Sequence, residues 1–475
     1  MRPVGRRVAW RRFGGAVVGL LLGLALLRLA AFGGASQMPH GDSPPVEPES
    51  AGPTANGRLV LNLSNNAGSS EKPRVASSFP NRVYVVWMDR SPGNREIFFT
   101  RSTDGGRTFE PTRNLSNSAI DSEFPQIVAS GRYVYVAWDE GFNEGTGEVY
   151  LRASADEGAT FGPRVQLSDN AGFSSSPRVA AALHKVYVVW LGQPTGERFA
   201  DILFRRSTDG GAKFAPQLNL SRNLGFSTQF PRLAAHGDHV YVAWTESSPY
   251  PSPLDVFFRR SLNAGASFGG VQRLSRNQTF SSFPEIALAP QPGAEDVYVA
   301  WGEDTRNDPP YNPEILVRRS TNSGGTFASA KGVSRGIRYS WQYQIAAAGT
   351  NVHLVWLAYR GGYNDLLFAR SRDRGATFEA PRSLGPGFAD SHPGQVAVFG
   401  NVVDVLWPAR RTAGDHDIVW RRSSDGGATF GDAVNLSNTS GGSTWVALSR
   451  SLTALYVVWQ DGTPGNQDIF FTAVK

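Results

Sequence analysis

Ser102-Thr-Asp-Gly-Gly-Arg-Thr-Phe109 decides the fold, because near copies of it begin again at Ser154, Ser207, Ser261, Ser320, Ser371 and Ser423. The steps between copies are 52, 53, 54, 59, 51 and 52 residues, a period that points to a propeller or an array of like units. The residue types suit a tight corner between two strands. Asp104 is expected to accept hydrogen bonds from backbone N–H groups one and two residues ahead, and Gly106 to take the positive φ that closes the turn. Ser102 and Thr108 supply hydroxyls for further local bonds, and Phe109 opens the next strand.

The corner is flanked by constant neighbours. Each unit opens with a short apolar segment such as Pro73-Arg-Val-Ala76, continues into a strand ending in tryptophan such as Val83-Tyr-Val-Val-Trp87, and then into an acid-led strand such as Glu96-Ile-Phe-Phe-Thr-Arg101. A fourth strand follows the corner. β-Branched and aromatic residues with alternating polarity favour strands throughout, and no helix is expected after residue 35. The strand-ending tryptophans are Trp87, Trp138, Trp190, Trp244, Trp301, Trp356, Trp407 and Trp459, which makes eight units. The eighth stops before its fourth strand, whereas Leu59-Val-Leu-Asn-Leu-Ser64 resembles the fourth strands Asp432–Ser437 and Ala215–Ser221. The expected fold is therefore all-β: a single β-propeller of eight four-stranded blades, its ring closed by an N-terminal strand joining the last blade, with seven blades as the alternative. Closure pairs two edges that would otherwise be open to association.

The pattern Ser-x-Asp-x-Gly-x-Thr-Phe resembles the Asp-box, or BNR repeat, of the sialidase superfamily of β-propellers. The corner residues of that motif are Asp104, Asp156, Asp209, Asn263, Asn322, Asp373 and Asp425, asparagine keeping the acceptor oxygen the turn needs. Lys213 and Ser267 replace the threonine in two copies, and Arg374 replaces a loop residue.

Residues 1–35 read as a signal peptide or a single-span N-terminal anchor: Arg2, Arg6, Arg7, Arg11 and Arg12 precede an apolar run from Phe13 to Ala35 interrupted by Arg28. Residues 36–57 are rich in proline, glycine and serine and read as a linker, and residues 58–475 form the propeller. Both leader readings place the propeller outside the cytoplasm, secreted or tethered. The whole-chain charge is +6. It belongs to the leader, which holds six arginines and no acid, so the rest carries 41 basic against 41 acidic side chains. A neutral domain is no trap for phosphate backbones, and no nucleic-acid partner is expected. With no cysteine there is no disulfide framework, thiol nucleophile or Cys-based metal site.

In an up-and-down blade the starts of the first and third strands and the end of the second share one face, and the repeated corners lie on the other. The ligand face is then the one at the tunnel mouth with the variable loops. The residue before the apolar pair of each innermost strand reads Arg74, Gln126, Arg178, Arg232, Glu285, Gln344, Gln395 and Trp445. Arginine forks suit carboxylates, and the faces of Trp341 and Trp445 suit sugar rings. Lining arginines and glutamines equally suit a plain water-filled channel. The resemblance implies a sharper mapping: Arg74, Arg178 and Arg232 as the arginine triad for a substrate carboxylate, Glu285 with Tyr343 as the nucleophile pair, and Asp89 as the acid. The Phe/Tyr-Arg-Ile-Pro signature of those enzymes is absent here, and they have six blades.

Acids lead the third strand in all eight units, at Glu96, Glu148, Asp201, Asp255, Glu314, Asp365, Asp417 and Asp468, which marks scaffold. The loop from Gly302 to Pro313, with Glu303, Asp304, Arg306, Asp308 and Tyr311, could hold a sugar or a cation, or be a proline-stiffened connection. The seven histidines show no zinc spacing, and no phosphate-binding glycine loop is present, so neither metal nor cofactor is expected. Three functions stay open: a propeller binding glycan or an envelope protein, a sialidase-type exo-acting glycoside hydrolase, and a structural scaffold of a surface assembly. Membrane contact is expected only through residues 13–35, if these are retained.

Overall fold

The computed structural model describes residues 57–475, apart from 143–144, 146, 170–171, 194–198, 222–227, 248–253, 276–279, 305–312, 338, 361, 411–413 and 464. The expected leader, the linker up to residue 56 and the centre of the Gly302–Pro313 loop lie outside the described residues. Among the described residues the strands form eight antiparallel sheets and no helix. In the first blade the strands run Ser70–Ser78, Arg82–Asp89, Glu96–Ser102 and Arg113–Asn114, innermost to outermost. Innermost strands of successive blades touch all the way round, the first meeting the last, so the sheets form an eight-bladed β-propeller.

The second strands show why so uniform a sequence is needed. Val83 to Asp89 are all buried, because each central strand is covered on both faces by neighbouring blades, and such a strand reads as an apolar run rather than an alternation. Hydrophobic cores accordingly sit in the seams between blades. One joins Val75, Val83 and Trp87 of the first blade to Tyr456, Ile469 and Phe471 of the last.

The eighth blade is built from both ends of the chain. Ser443–Arg450, Leu455–Asp461 and Asp468–Val474 supply three strands, and Val60–Asn62 supplies the fourth by pairing with Thr472, Phe471 and Phe470. The acids that lead the third strands explain how short outer strands are held. In this blade Asp468 accepts Ser64 Oγ at 2.8 Å and Asn62 Nδ2 at 2.8 Å, and Ser64 Oγ in turn accepts the Ile469 N–H at 2.9 Å. The same acid–serine latch recurs at Asp201–Ser221 (2.6 Å), Asp255–Ser275 (2.6 Å) and Asp417–Ser437 (2.8 Å).

The repeated corner closes differently from the sequence expectation in one detail. Asp104 Oδ1 accepts the N–H groups of Arg107 at 2.9 Å and Thr108 at 3.1 Å, three and four residues ahead rather than one and two. Two successive left-handed glycines, Gly105 (φ 79°) and Gly106 (φ 83°), carry the chain that far round. Ser102 Oγ donates to Asp104 Oδ1 at 2.7 Å and accepts the Gly106 N–H at 2.8 Å, while Thr108 Oγ1 donates to Asp104 Oδ2 at 2.7 Å. Where asparagine replaces the acid the last bond reverses, Asn263 Nδ2 donating to Ser267 Oγ at 2.9 Å.

The glycine has a second duty invisible in one unit's sequence, because it rests on the preceding blade. A Cβ on Gly265 (φ 75°) would lie 2.6 Å from Phe204 of the blade before, and Phe268, which ends that corner, meets Phe204 edge-on with centroids 4.9 Å apart. Gly265→Ala is therefore expected to cost about 2–5 kcal/mol of unfolding free energy, about 1–2 from the left-handed backbone and about 1–3 from overpacking. Gly270→Ala, with nothing within 4 Å of its Cβ, is expected to stay within about 0.5 kcal/mol of the parent. Urea unfolding of the pair checks this; equal midpoints would refute the seam contact.

Candidate functional site

Innermost strands carry a feature that shapes the tunnel mouth. In seven blades the register with the second strand slips by one residue, between Glu71 and Arg74 in the first and between Thr444 and Ala447 in the last. The inserted residue takes a left-handed backbone: Lys72, Phe124, Ser176, Phe230, Phe283, Gln342 and Trp445 have φ between 49° and 58°. In five blades a proline follows it, at 73, 125, 177, 231 and 284. Bulges re-aim the side chains around them. Here they bring neighbouring blades into contact round the mouth: Lys72 Nζ lies 3.7 Å above the Phe124 ring, and Phe230 and Phe283 stack with centroids 4.3 Å apart.

This register corrects one sequence assignment. Trp445 is the inserted residue of its blade, equivalent to Lys72, and Ala447 stands where Arg74 stands in the first. Trp445 is 51% exposed, so its indole face lies open. Trp341 packs against the seam of Leu357, Phe388, Val396 and Trp407.

One step past the bulges the tunnel ring reads Arg74, Gln126, Arg178, Arg232, Glu285, Gln344, Gln395 and Ala447. Each arginine is tied to the carbonyl of its own proline, Arg74 Nη1 to Pro73 at 3.1 Å, Arg178 to Pro177 at 3.0 Å and Arg232 to Pro231 at 3.2 Å. Arg232 Nε also pairs with Glu285 Oε1 at 2.7 Å, and Gln344 Nε2 donates to Gln395 Oε1 at 3.0 Å.

The arginines sense one another across the ring. Burial and then the Arg232 charge lower Arg74. Burial, then Arg232 and Arg74, lower Arg178 to about 9, against the opposing pull of Glu285 and Asp139. Arginine keeps its proton in proteins, so the depression records guanidinium groups held out of water first and repelling one another second. Among the catalytic and clamp residues expected from the sequence, the structure thus brings Arg74, Arg178, Arg232 and Glu285 into one electrostatic group.

Tyr343 and Asp89 are placed otherwise. Tyr343 occupies the proline position of its blade and is buried; its hydroxyl faces the carbonyls of Ser282 (2.9 Å) and Phe283 and accepts the Gly302 N–H at 2.8 Å. Backbone groups of the neighbouring blade therefore hold the oxygen that a nucleophile would need free. Asp89 has no exposed surface and accepts Trp87 Nε1 (2.9 Å), Ser70 Oγ (2.7 Å), Asn66 Nδ2 (2.8 Å) and the Ser91 N–H (2.8 Å). Its position is a tryptophan cap. Glu246 and Glu303 do the same for Trp244 and Trp301 at 2.8 and 2.9 Å. Where Gly192, Ala358 and Ala409 stand instead, the indole N–H groups of Trp190, Trp356 and Trp407 have no partner among the described residues.

A group that sequence reading passed over is felt electrostatically by Arg178. Asp139, the residue after Trp138, has no exposed surface. Its Oδ2 accepts the Ser176 N–H at 3.0 Å from the bulge of the next blade, while Oδ1 has no side-chain hydrogen-bond partner among the described residues. Burial pushes its carboxyl up to about 7; Glu123 adds to the rise, and the Ser176 N–H and Lys72 oppose it. Glu123 is itself paired with Arg95 at 2.8 Å. The signal was present in the column after the tryptophans, which reads Met88, Asp139, Leu191, Thr245, Gly302, Leu357, Pro408 and Gln460: one acid among seven uncharged residues.

No family model and no curated protein matches the chain. Solved propellers do. A PL25 ulvan lyase bound to -[GlcA(1-4)Rha3S]- has a TM-score of 0.51 at 11% identity, covering 85% of this chain and 93% of its own. A Penicillium chrysogenum α-L-arabinanase complexed with arabinobiose has a TM-score of 0.41 at 12% identity, covering 88% of this chain and 97% of its own. A Trypanosoma rangeli sialidase has a TM-score of 0.40 at 11% identity, covering 76% of this chain and 56% of its own. The fold is shared with the ulvan lyase, and at 11% identity the likeness speaks for the fold alone.

Proposed function

We propose that this chain is an extracytoplasmic Asp-box propeller that binds an acidic glycan at the tunnel mouth. The observation that carries the reading is the coupled cluster Arg74, Arg178 and Arg232, answered within the ring by Glu285. Three guanidinium groups, two of them desolvated and feeling the charge of Arg232, and all tied to backbone carbonyls, suit a carboxylate or sulfate that needs two-pronged recognition. The open face of Trp445, the rim rings of Phe124, Phe230 and Phe283, and Trp341 at the edge of its seam offer apolar surface to sugar rings. The ulvan lyase, bound to a saccharide containing GlcA and Rha3S, agrees in charge class. In this reading Tyr343 and Asp89 hold blades and a tryptophan in place, and nucleic acid is no partner.

Retention of the purified propeller on immobilised glycans tests this. Uronate- or sulfate-bearing glycans should bind and neutral ones should not, with Arg178→Ala weakening affinity about 10–100-fold through the loss of charge-assisted hydrogen bonds. Equal retention of neutral glycans, or an unaffected variant, would overturn it.

A second reading, an exo-acting glycoside hydrolase, is favoured by Asp139, whose carboxyl is raised to about 7, half protonated near neutral pH, and electrostatically linked to Arg178; in this reading a bound glycan must uncover it before it serves as a general acid. Turnover of a fluorogenic panel led by a sialoside separates the two readings: none on any glycoside removes the hydrolase and leaves binding standing.

A further inference from the structure

The seventh blade departs from its neighbours at the mouth. Its innermost strand is cut into Asp390–Ser391 and Gln395–Phe399, where the other seven carry the one-residue bulge. His392, Pro393 and Gly394 fill the break, held by the His392 N–H donating to the Pro408 carbonyl at 2.8 Å. His392 thereby meets His416, which precedes the third strand Asp417–Ser423: the two rings lie 4.0 Å apart, tilted by 31°. Asp390 Oδ2 is 3.5 Å from His416 Nε2. One ligand atom from each of the three side chains lies within 4.8 Å of the others.

Hydrogen bonding does not account for this grouping. His416 Nε2 is buried without a hydrogen-bond partner among the described residues. Asp390 Oδ1 accepts Asn364 Nδ2 at 3.1 Å, the kind of outer contact that orients a ligating carboxylate and leaves its other oxygen available.

We propose that Asp390, His392 and His416 bind one divalent transition-metal ion of the zinc class, with an open coordination position on the mouth face. Two imidazoles and a carboxylate are the donor set of three-ligand sites that keep a position for water or substrate. With bonds of about 2.1 Å, tetrahedral ligand atoms stand about 3.4 Å apart, so side-chain rotations of about 1 Å close the site. Arg410 lies near enough to His392 for its charge to be felt there. That charge opposes a bare cation. Affinity must therefore come from nitrogen bonds rather than net charge, which selects a transition metal over Ca²⁺ or Mg²⁺. His416 and Asp390 keep 17% and 22% of their side-chain surface, so the open position reaches water.

Calorimetric titration of the metal-free full chain with ZnCl₂, paired with visible absorption on adding CoCl₂, tests the site independently of any glycan. The expected result is one equivalent of zinc, a four- or five-coordinate cobalt spectrum, and affinity lowered at least about 100-fold in both His392→Ala and His416→Ala with melting temperatures retained. Asp390→Asn, which keeps the Asn364 contact, should show the same loss if a histidine variant fails to fold. No zinc binding by the parent, undiminished binding in the folded variants, or equal uptake of CaCl₂ would each overturn the proposal.

Discussion

Asp404→Ala is expected to lower the unfolding free energy by about 3–5 kcal/mol, the cost of breaking a buried ion pair from one side. Six second strands place tyrosine at this position, as at Tyr84 and Tyr456; the seventh blade places a buried aspartate there. Its Oδ1 accepts Trp420 Nε1 at 2.9 Å and Arg422 Nε at 2.7 Å, and its Oδ2 accepts Arg450 Nη1 at 2.9 Å from the eighth blade. Arg422 Nη1 reaches on to the Lys475 carbonyl at 2.9 Å, and the Trp420 ring has the Arg422 and Arg58 guanidinium groups 4.9 and 5.3 Å from its centroid. One carboxylate thus links the seventh blade to the blade that both chain ends complete. Without it, Arg422 and Arg450 face each other uncompensated where an outer strand of three residues closes the ring. Urea unfolding followed by tryptophan fluorescence measures the loss; a change below about 1 kcal/mol would show that water screens the pair.

Blade number and ring closure were legible because they depend on residues that every unit repeats. The tryptophans count the second strands, and the latch serine carried by Leu59–Ser64 announces an outer strand with no third strand of its own. Contacts between blades were not legible, since each partner sits a whole unit away: nothing within one corner says that Gly265 must clear Phe204. The asparagine substitutions illustrate tolerance in the other direction. Asn263 keeps the acceptor and turns its amide on Ser267, so the corner survives a change that a motif counts as a mismatch.

At the mouth, the arginines were legible as one strand position, while their electrostatic effect on one another depended on the ring's actual span. Trp445 was misplaced because a bulge inserts one residue, and in the last blade Val446 stands where the prolines would have marked it. Tyr343 and Asp89 show the limit of residue type as a guide: the proline site of one blade and the tryptophan cap of another lend a tyrosine and an aspartate to the scaffold. His392 and His416 are separated by a hairpin and meet through a break in the seventh innermost strand, which no spacing rule contains.

Asp139→Asn should make the protein more stable at pH 8, by about 1–3 kcal/mol, with the advantage fading to nothing near pH 4. The sign follows from where the proton is held. Unfolded, the carboxyl ionises near pH 4; folded, burial raises it to about 7 against the opposing hydrogen bond from the Ser176 N–H. Stability is therefore lost as pH rises between those values, up to about 4 kcal/mol once ionisation is complete. Asparagine carries no charge and its oxygen still accepts the Ser176 N–H, so the contact with the next blade survives; its amide must find room beside Glu123 and Lys72, and Arg178 loses an opposing charge, which trims the gain. Urea midpoints at pH 4, 6 and 8 decide the matter, and a variant less stable at pH 8, or a difference that ignores pH, would refute the buried-acid assignment. The same substitution bears on function. If Asp139 delivers a proton to a glycan leaving group, turnover falls while stability rises, and that opposite movement marks a carboxyl retained at the expense of the fold. If turnover never existed, glycan retention is unchanged and Asp139 joins the scaffold.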